Sequence, residues 1–319
     1  MYRFETNAYL RALCLLLTVA LSSLVQAEQG LIAAARSDDE NLVAELLAAG
    51  ADPNTRQGDG STALHWAAHR NNGEAVQILL GSGANPGASN ELGATPLWLA
   101  ASNGSAAVVE KLLTAGANPN ARLRMGETSL MSASRTGDLD TVSLLINAGA
   151  EIDAAEEERG QTALMWAVAQ SHRAVASMLL EHGADLNARS KVWYQLENTA
   201  GNTNPSGNYR MAHGGSSAIM FASRVGDIDT AETLLDAGAN INDTAASGVS
   251  ALTQAAHSGH EELAIYLLER GADPNAIEAG YTPLHAAVLR SELKLVRALL
   301  EHGAAIDIPV EHGTPGRRF

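Results

Sequence analysis

Residues 93–125 read GATPLWLAASNGSAAVVEKLLTAGANPNARLRM, and this stretch contains the plan of the chain. Thr95 is suited to cap the start of a helix, and Pro96 suits the first helical position, where no amide bond is lost. Ala100 and Ala101 keep one helix face small, so that a neighbouring helix pair can approach closely. Val108, Val109, Leu112 and Leu113 then give a second helix an apolar stripe at 3.6-residue spacing. Gly116 supplies a left-handed stop, and Asn118-Pro119-Asn120 begins a turn that projects as a finger toward the next unit.

Outward from this stretch the same plan recurs. The dipeptide Gly-Ala, preceded by a leucine-rich helix end, returns at Gly50, Gly83, Gly116, Gly149, Gly183, Gly238, Gly271 and Gly303, at spacings of 33, 33, 33, 34, 55, 33 and 32. Helix starts equivalent to TPLW (Thr95 to Trp98) are TALH (Thr62 to His65), TSLM (Thr128 to Met131), TALM (Thr162 to Met165), SAIM (Ser217 to Met220), SALT (Ser250 to Thr253) and TPLH (Thr282 to His285). In period and motif this resembles the ankyrin repeat, over nearly all of residues 30 to 312. The resemblance implies an all-α solenoid of about eight helix-turn-helix repeats with short hairpin-like fingers. One unit cannot hide its own apolar face, so the repeats are stable only when stacked.

Two places depart from the period. Residues 30–59 open on GLIAAARS without a TPLH-like start and continue into Asp38, Asp39 and Glu40, as a polar N-terminal cap repeat would. Residues 189–214 hold roughly 22 residues more than an ordinary finger, so one finger is a long insertion with a mobile tip. After residue 312, Gly313-Thr314-Pro315 reads as the start of a further, truncated repeat, or of an end that a partner covers. The domain plan is therefore a leader at 1–27, repeats at 28–312 and this remnant at 313–319.

Composition narrows the function. Lys and Arg number 21 against 36 Asp and Glu, a net charge of −15 with a pI near 5.0. Attraction of the whole molecule to nucleic acid or an anionic membrane is disfavoured, since both need a positive field. Aromatics at 4% argue against a sheet-rich barrel or sandwich. Arg3 and Arg11 precede an apolar run from Ala12 to Val25, and Val25-Gln26-Ala27 suits a signal peptidase, so cleavage is expected after Ala27. The run is shorter than the roughly 20 residues that span a bilayer, which favours export over an uncleaved anchor. Leader and repeats together resemble the exported bacterial type of the family. Cys14 is the only cysteine, so the mature chain has no thiol for a disulfide or a thiolate metal site. Without Arg3, Arg11 and Glu5 the net charge is −16.

No catalytic, metal or cofactor constellation emerges. His65 and His285 occupy the TPLH position, where the resemblance implies a structural bond to the turn, and His182 and His302 sit at helix ends. The cluster HSGHEEL, from His257 to Leu263, lacks the second histidine four residues on that a zincin needs. Ser291 and Lys294 match SxxK without its companion motifs. Gly214-Gly215-Ser216-Ser217 lacks the P-loop lysine, and Glu156-Glu157-Glu158 reads as a solvated loop tip. Trp66, Trp98 and Trp166 recur at repeat spacing as core or groove wall.

The family resemblance implies partner binding on the concave surface, made of finger tips and inner-helix ends. Carried onto this chain, the inner-helix ends are His69/Arg70, Ser102/Asn103, Arg135/Thr136, Ala169/Gln170, Arg224/Val225, His257/Ser258 and Leu289/Arg290. Arg70, Asn103, Arg135, Gln170, Arg224, His257 and Arg290 are the candidate contacts. Arg56, Arg122, Arg124 and Arg159 join them from the fingers, and Trp193 and Tyr194 from the insertion. Four of the seven pairs hold an arginine and none holds an acid, whereas the outer helices carry Glu74, Glu110, Asp138, Asp140, Glu181, Asp227, Asp229, Glu232, Glu261, Glu262 and Glu269. These features predict a non-catalytic, monomeric, periplasmic or secreted scaffold that holds an acidic segment of another protein, with no nucleic acid and no membrane after leader cleavage. The alternatives are that the arginines only bridge neighbouring repeats, or that the chain is the recognition portion of a longer exported enzyme or redox protein. By resemblance alone, exported ankyrin proteins point to an oxidative-defence enzyme of the catalase type as one class of client.

Overall fold

A computed structural model describes residues 29–198 and 208–310. The expected leader, the expected mobile tip of the insertion and the expected ninth-repeat remnant lie outside those residues. Eight helix pairs follow one another: α1 (29–37) with α2 (Glu40–Ala48), α3 (Ala63–His69) with α4 (Gly73–Gly81), α5 (Pro96–Ser102) with α6 (Ala106–Thr114), and α7 (Ser129–Thr136) with α8 (Leu139–Asn147). After them come α9 (Ala163–Ala169) with α10 (Arg173–Glu181), α11 (Ala218–Val225) with α12 (Ile228–Asp236), α13 (Ala251–Ser258) with α14 (Glu261–Glu269), and α15 (Pro283–Arg290) with α16 (Leu293–Glu301). The chain forms two compact units, one through Arg124 with Asn147–Ala150, the other comprising Met125–Ile146 and everything from Glu151 onward. Each is a stack of the expected helix-turn-helix repeats.

Helices of seven to nine residues are too short to persist alone in water. Caps and stacking hold them. Thr95 Oγ1 accepts from the Trp98 amide at 3.2 Å, Thr128 from Met131 at 3.3 Å, and Ser250 from Thr253 at 3.1 Å. The small pairs on the inner helices are fully buried: Ala67 and Ala68, Ala100 and Ala101, Ala255 and Ala256 are all 0% exposed. At the far end of each outer helix the Gly-Ala glycine has positive φ, from 86° at Gly149 to 100° at Gly238. Successive fingers join through backbone hydrogen bonds. The Glu91 amide donates to Asp59 O (2.9 Å) and Arg124 to Leu92 O (3.0 Å) in the first unit. In the second, Glu157 donates to Met125 O (2.7 Å), Lys191 to Arg159 O (2.6 Å) and Ala246 to Gly214 O (3.0 Å).

The insertion is a β-hairpin. Strand β1 (Trp193–Asn198) pairs antiparallel with β2 (Asn208–His213), in a register running from Trp193 opposite His213 to Asn198 opposite Asn208. Its foot is clamped to the finger. The Ser190 amide donates to Ser216 O (3.0 Å), Gly215 donates to Ser190 O (3.1 Å), and Ser216 donates to Ser190 Oγ (3.0 Å). Gly214, at φ +77°, lies so close to the Lys191 carbonyl that a Cβ there would collide with it.

The tip of the finger before the hairpin differs from the solvated loop expected at Glu156. This carboxylate is buried and accepts from three backbone amides: Glu158 at 2.7 Å, Arg159 at 2.9 Å to either oxygen, and Gln161 at 3.0 Å, while the N–H of Glu156 itself is directed to the Gln161 carbonyl. The charge is spent on shaping the turn, since a carboxylate satisfied by amides is stable when buried.

Candidate functional site

A helix leaves its last carbonyls without intrahelical donors. At five inner helices here, the next repeat supplies a side-chain donor. In the first unit Arg70 Nε donates to Arg36 O (2.9 Å) and Asn103 Nδ2 to His69 O (2.7 Å). In the second, His172 Nε2 donates to Arg135 O (3.0 Å), His260 Nε2 to Arg224 O (2.9 Å), and an Arg290 guanidinium nitrogen to His257 O (3.2 Å). Both imidazoles lie on a glycine at φ +81°. A Cβ on Gly137 would come within 2.6 Å of the His172 ring, and one on Gly226 would collide with His260.

This division of labour separates the arginines that the sequence groups together. Arg70 and Arg290 are ties between repeats, and Arg290 also pairs with Glu292 at 3.0 Å. Asn103 is a tie as well. Arg135 and Arg224 stand one position earlier in the repeat than Arg70 and Arg290, their carbonyls accept from histidines, and their guanidinium groups lie over rings. Arg135 lies 5.3 Å from the centre of the half-buried Trp166 ring, and Arg224 lies 5.3 Å from that of Phe221. Stacking on a ring face holds a guanidinium flat and leaves its edge for an anion.

Electrostatics sharpen the contrast. On the outer helices, Arg173 pairs with Asp229 (3.9 Å) and Glu232 (3.7 Å), Arg270 with Asp236 (2.7 Å), and Lys294 with Glu261 (3.7 Å). The hydrogen bond to Asp236 raises the Arg270 pKa above its ordinary value. The Arg224 pKa moves the other way, lowered by burial. Neighbouring protein atoms displace part of its hydration, while the residue as a whole stays exposed.

Arg224 opens onto a cleft of about 540 Å³ at the foot of the hairpin. Its basic lining is Arg159, Lys191 and Arg224, its acid is Glu158, and its rings are Trp193, His213 and Phe221. Trp193 and His213 stack, centroids 4.4 Å apart and planes 16° apart. The Lys191 ammonium donates to the Glu157 carbonyl. Arg189, just before the hairpin, is taken by Asp243 and donates to the Gly215 carbonyl at 2.8 Å, which fixes the cleft floor.

The remaining expected contacts fall as follows. Gln170 is the exposed C-cap of α9, and His257 is exposed with its ring 6.3 Å from that of the buried Tyr281. Tyr194 projects from the opposite face of β1 under Arg210, at 5.1 Å. Arg56 donates to Ser89 O at 3.4 Å, and Arg122 and Arg124 are exposed on the last finger of the first unit. Phe221, Lys191 and His213 of the cleft, and the capping roles of His172 and His260, were not anticipated. The signal for the histidines was present: Ser-Arg-Thr-Gly (134–137) and Ser-Arg-Val-Gly (223–226) are each followed one repeat later by a histidine before the outer helix.

The other sequence candidates are absorbed into the scaffold. The Thr62 amide donates to His65 Nδ1 (3.1 Å), which leaves the proton on Nε2 for Ala94 O (3.0 Å). Thr282 and His285 repeat the first contact at 3.1 Å. His182 and His302 each donate to a last-turn carbonyl at 2.8 Å. Glu261 accepts the Leu295 amide (3.1 Å), and Ser291 is a helix cap at φ 62°. Among the described residues, no three potential metal ligands come together, and no helix is long and apolar enough to cross a membrane.

Comparison with known proteins agrees with this architecture. The family model described as ankyrin repeats (3 copies) matches residues 31–123, 108–190 and 219–310, passing over the stretch that forms the hairpin. The chain is 30% identical over 150 residues to the ankyrin repeat domain-containing protein SAT10 of Stachybotrys chartarum, covering 47% of this chain and 7% of that one. It is 30% identical over 184 residues to the probable E3 ubiquitin-protein ligase XBOS32 of Oryza sativa subsp. japonica, covering 47% and 33%. A putative ankyrin repeat-containing protein of Treponema pallidum is 37% identical over 92 residues, covering 28% and 31%. The matched stretch thus spans a third or less of each of these relatives.

Proposed function

This chain belongs to the ankyrin-repeat family, and on that premise we propose that it is a non-catalytic scaffold holding an acidic, extended segment of another protein. Ankyrin repeats are generally protein-interaction modules. The observation that carries the finer reading is the pair Arg135 and Arg224, each stacked on a ring, with its own carbonyl capped by a histidine of the next repeat. They end α7 and α11, with α9 between them. At 8–10 Å per packed helix, their separation is roughly 20 Å, which about six extended residues span. Gln170 at the end of α9 lies between the two anchors and offers an amide to the passing backbone.

The leader and the acidic mature chain support export to the periplasm or beyond, with action as a monomer on a client in that compartment. Amino-terminal sequencing of secreted protein tests this, with Glu28 the expected first residue.

The binding reading is tested with a synthetic peptide of alternating Glu and Gly. The double variant Arg135→Glu/Arg224→Glu should weaken capture at least tenfold and flatten its dependence on salt. Arg173→Glu on the outer helix should not. Equal capture by the double variant and the parent rejects the assignment.

A further inference from the structure

We propose that the cleft at the foot of the inserted hairpin is a subsite for one acidic residue and an adjacent aromatic residue of the partner segment, the carboxylate on Arg224 and Arg159, the ring against Trp193 and Phe221. This inference rests on reading Arg224 as partner-facing, and it adds which partner residues are selected and which element selects them.

Size gives the first argument. At about 540 Å³, the cleft lies within the range of pockets that enclose small ligands, and far exceeds what a lone carboxylate fills. A two-residue stretch with one ring suits it. Lining chemistry gives the second. Cations and rings line one opening, and such mixtures of arginine and large aromatics are typical of the few positions that dominate binding energy. Three cations face one acid, Glu158, and the Lys191 ammonium is already directed to the Glu157 carbonyl. The two arginines are therefore left to match one carboxylate, whose two oxygens fit a planar guanidinium edge.

Orientation supplies the third argument. His213 covers one face of Trp193 in a parallel stack at 4.4 Å, yet Trp193 remains 49% exposed. An indole held on one face and open elsewhere is a ready platform for a second ring. The pKa of Arg224, lowered by desolvation, agrees with a guanidinium partly stripped of water beside the cleft, whose edge an incoming carboxylate can meet.

The test uses the full chain with nitrogen-15 in its indoles and two acidic peptides of equal length and charge. One carries Phe beside its central Glu, the other Ala. The Phe peptide should bind about tenfold tighter and shift the Trp193 indole signal, identified with Trp193→Phe. Trp193→Ala should erase the advantage of Phe, and Arg224→Gln should weaken the Phe peptide while leaving thermal melting near that of the parent. Equal binding of both peptides, still lost in Arg135→Glu/Arg224→Glu, would overturn the subsite and leave the scaffold reading standing. Binding of neither peptide would overturn both. Phenylacetate or inorganic phosphate shifting Trp193 as strongly as the Phe peptide at equal concentration would assign the cleft to a free small anion and overturn the proposal.

Discussion

Replacing Ser134 and Ser223 by alanine should stabilise the second unit. Both serines hold the inner-helix position filled by Ala68, Ala101 and Ala256 in other repeats, both are 0% exposed, and neither hydroxyl has a hydrogen-bond partner. A buried, unsatisfied hydroxyl costs on the order of 1–3 kcal/mol by mutational measures, so we take about 1 kcal/mol for each. They lie on α7 and α11, separated by α9, and their effects should add to about 2 kcal/mol. Unfolding entropy near 2.1 cal/mol/K per residue, over roughly 170 described residues of this unit, gives about 0.36 kcal/mol/K. The double variant should then melt about 5 °C higher. Calorimetry and urea unfolding read it, with a raised midpoint and an unchanged slope. Ser132→Ala is the control, because Arg135 donates to that hydroxyl at 3.5 Å. A neutral or lowered melting temperature would mean that the hydroxyls bond the carbonyls four residues back, and the argument would fail.

Three further outcomes follow from the contacts. Burial holds the His65 pKa below 6.5, so the unfolded chain takes up more protons. Stability is therefore complete above about pH 6.5 and falls as pH drops through that value. Melting from pH 7.5 to 5 should show this slope, reduced in His65→Gln. Gly226→Ala combines a strained φ of +81° with displacement of His260 from Arg224 O. It should cost about 2 kcal/mol in urea unfolding, while Gly81→Ala, where a Cβ meets nothing within 4 Å, should be neutral or stabilising. Gly214→Ala should separate the hairpin foot from Lys191, seen as a changed Trp193 indole signal with the helical circular dichroism retained.

The stack was legible because each repeat restates it. Thr95 and Pro96 start a helix, Ala100 and Ala101 admit a neighbour, and Gly116 ends the unit, all by local chemistry that a single sequence displays. The hairpin was less so. Its length stood out as a 55-residue spacing, but β1 and β2 pair across polar residues without a sharp alternating pattern, and the register rests on Ser190, Gly214 and Ser216 at the foot. Glu156 was misjudged for a related reason. In Glu156-Glu157-Glu158 the three letters are identical, and only the path of the turn decides which carboxylate meets the amides of Glu158, Arg159 and Gln161.

The arginines show where sequence reasoning stops and contacts must take over. Arg70 and Arg290, one position further along the repeat than Arg135 and Arg224, cap a preceding helix, whereas Arg135 and Arg224 lie over aromatic rings. Gly137 and Gly226, lacking a Cβ, admit an imidazole from the following repeat, as Gly259 admits the Arg290 guanidinium. At Gly137 and Gly226 histidine supplies the inter-repeat tie that Arg70, Asn103 and Arg290 supply elsewhere. The hairpin ends just before the helix that carries Arg224, and its foot builds the cleft beside that same guanidinium. A repeat array supplies many equivalent positions. The ring-stacked arginines and the insertion make two of them unlike the rest, and the proposed binding site rests on that inequality.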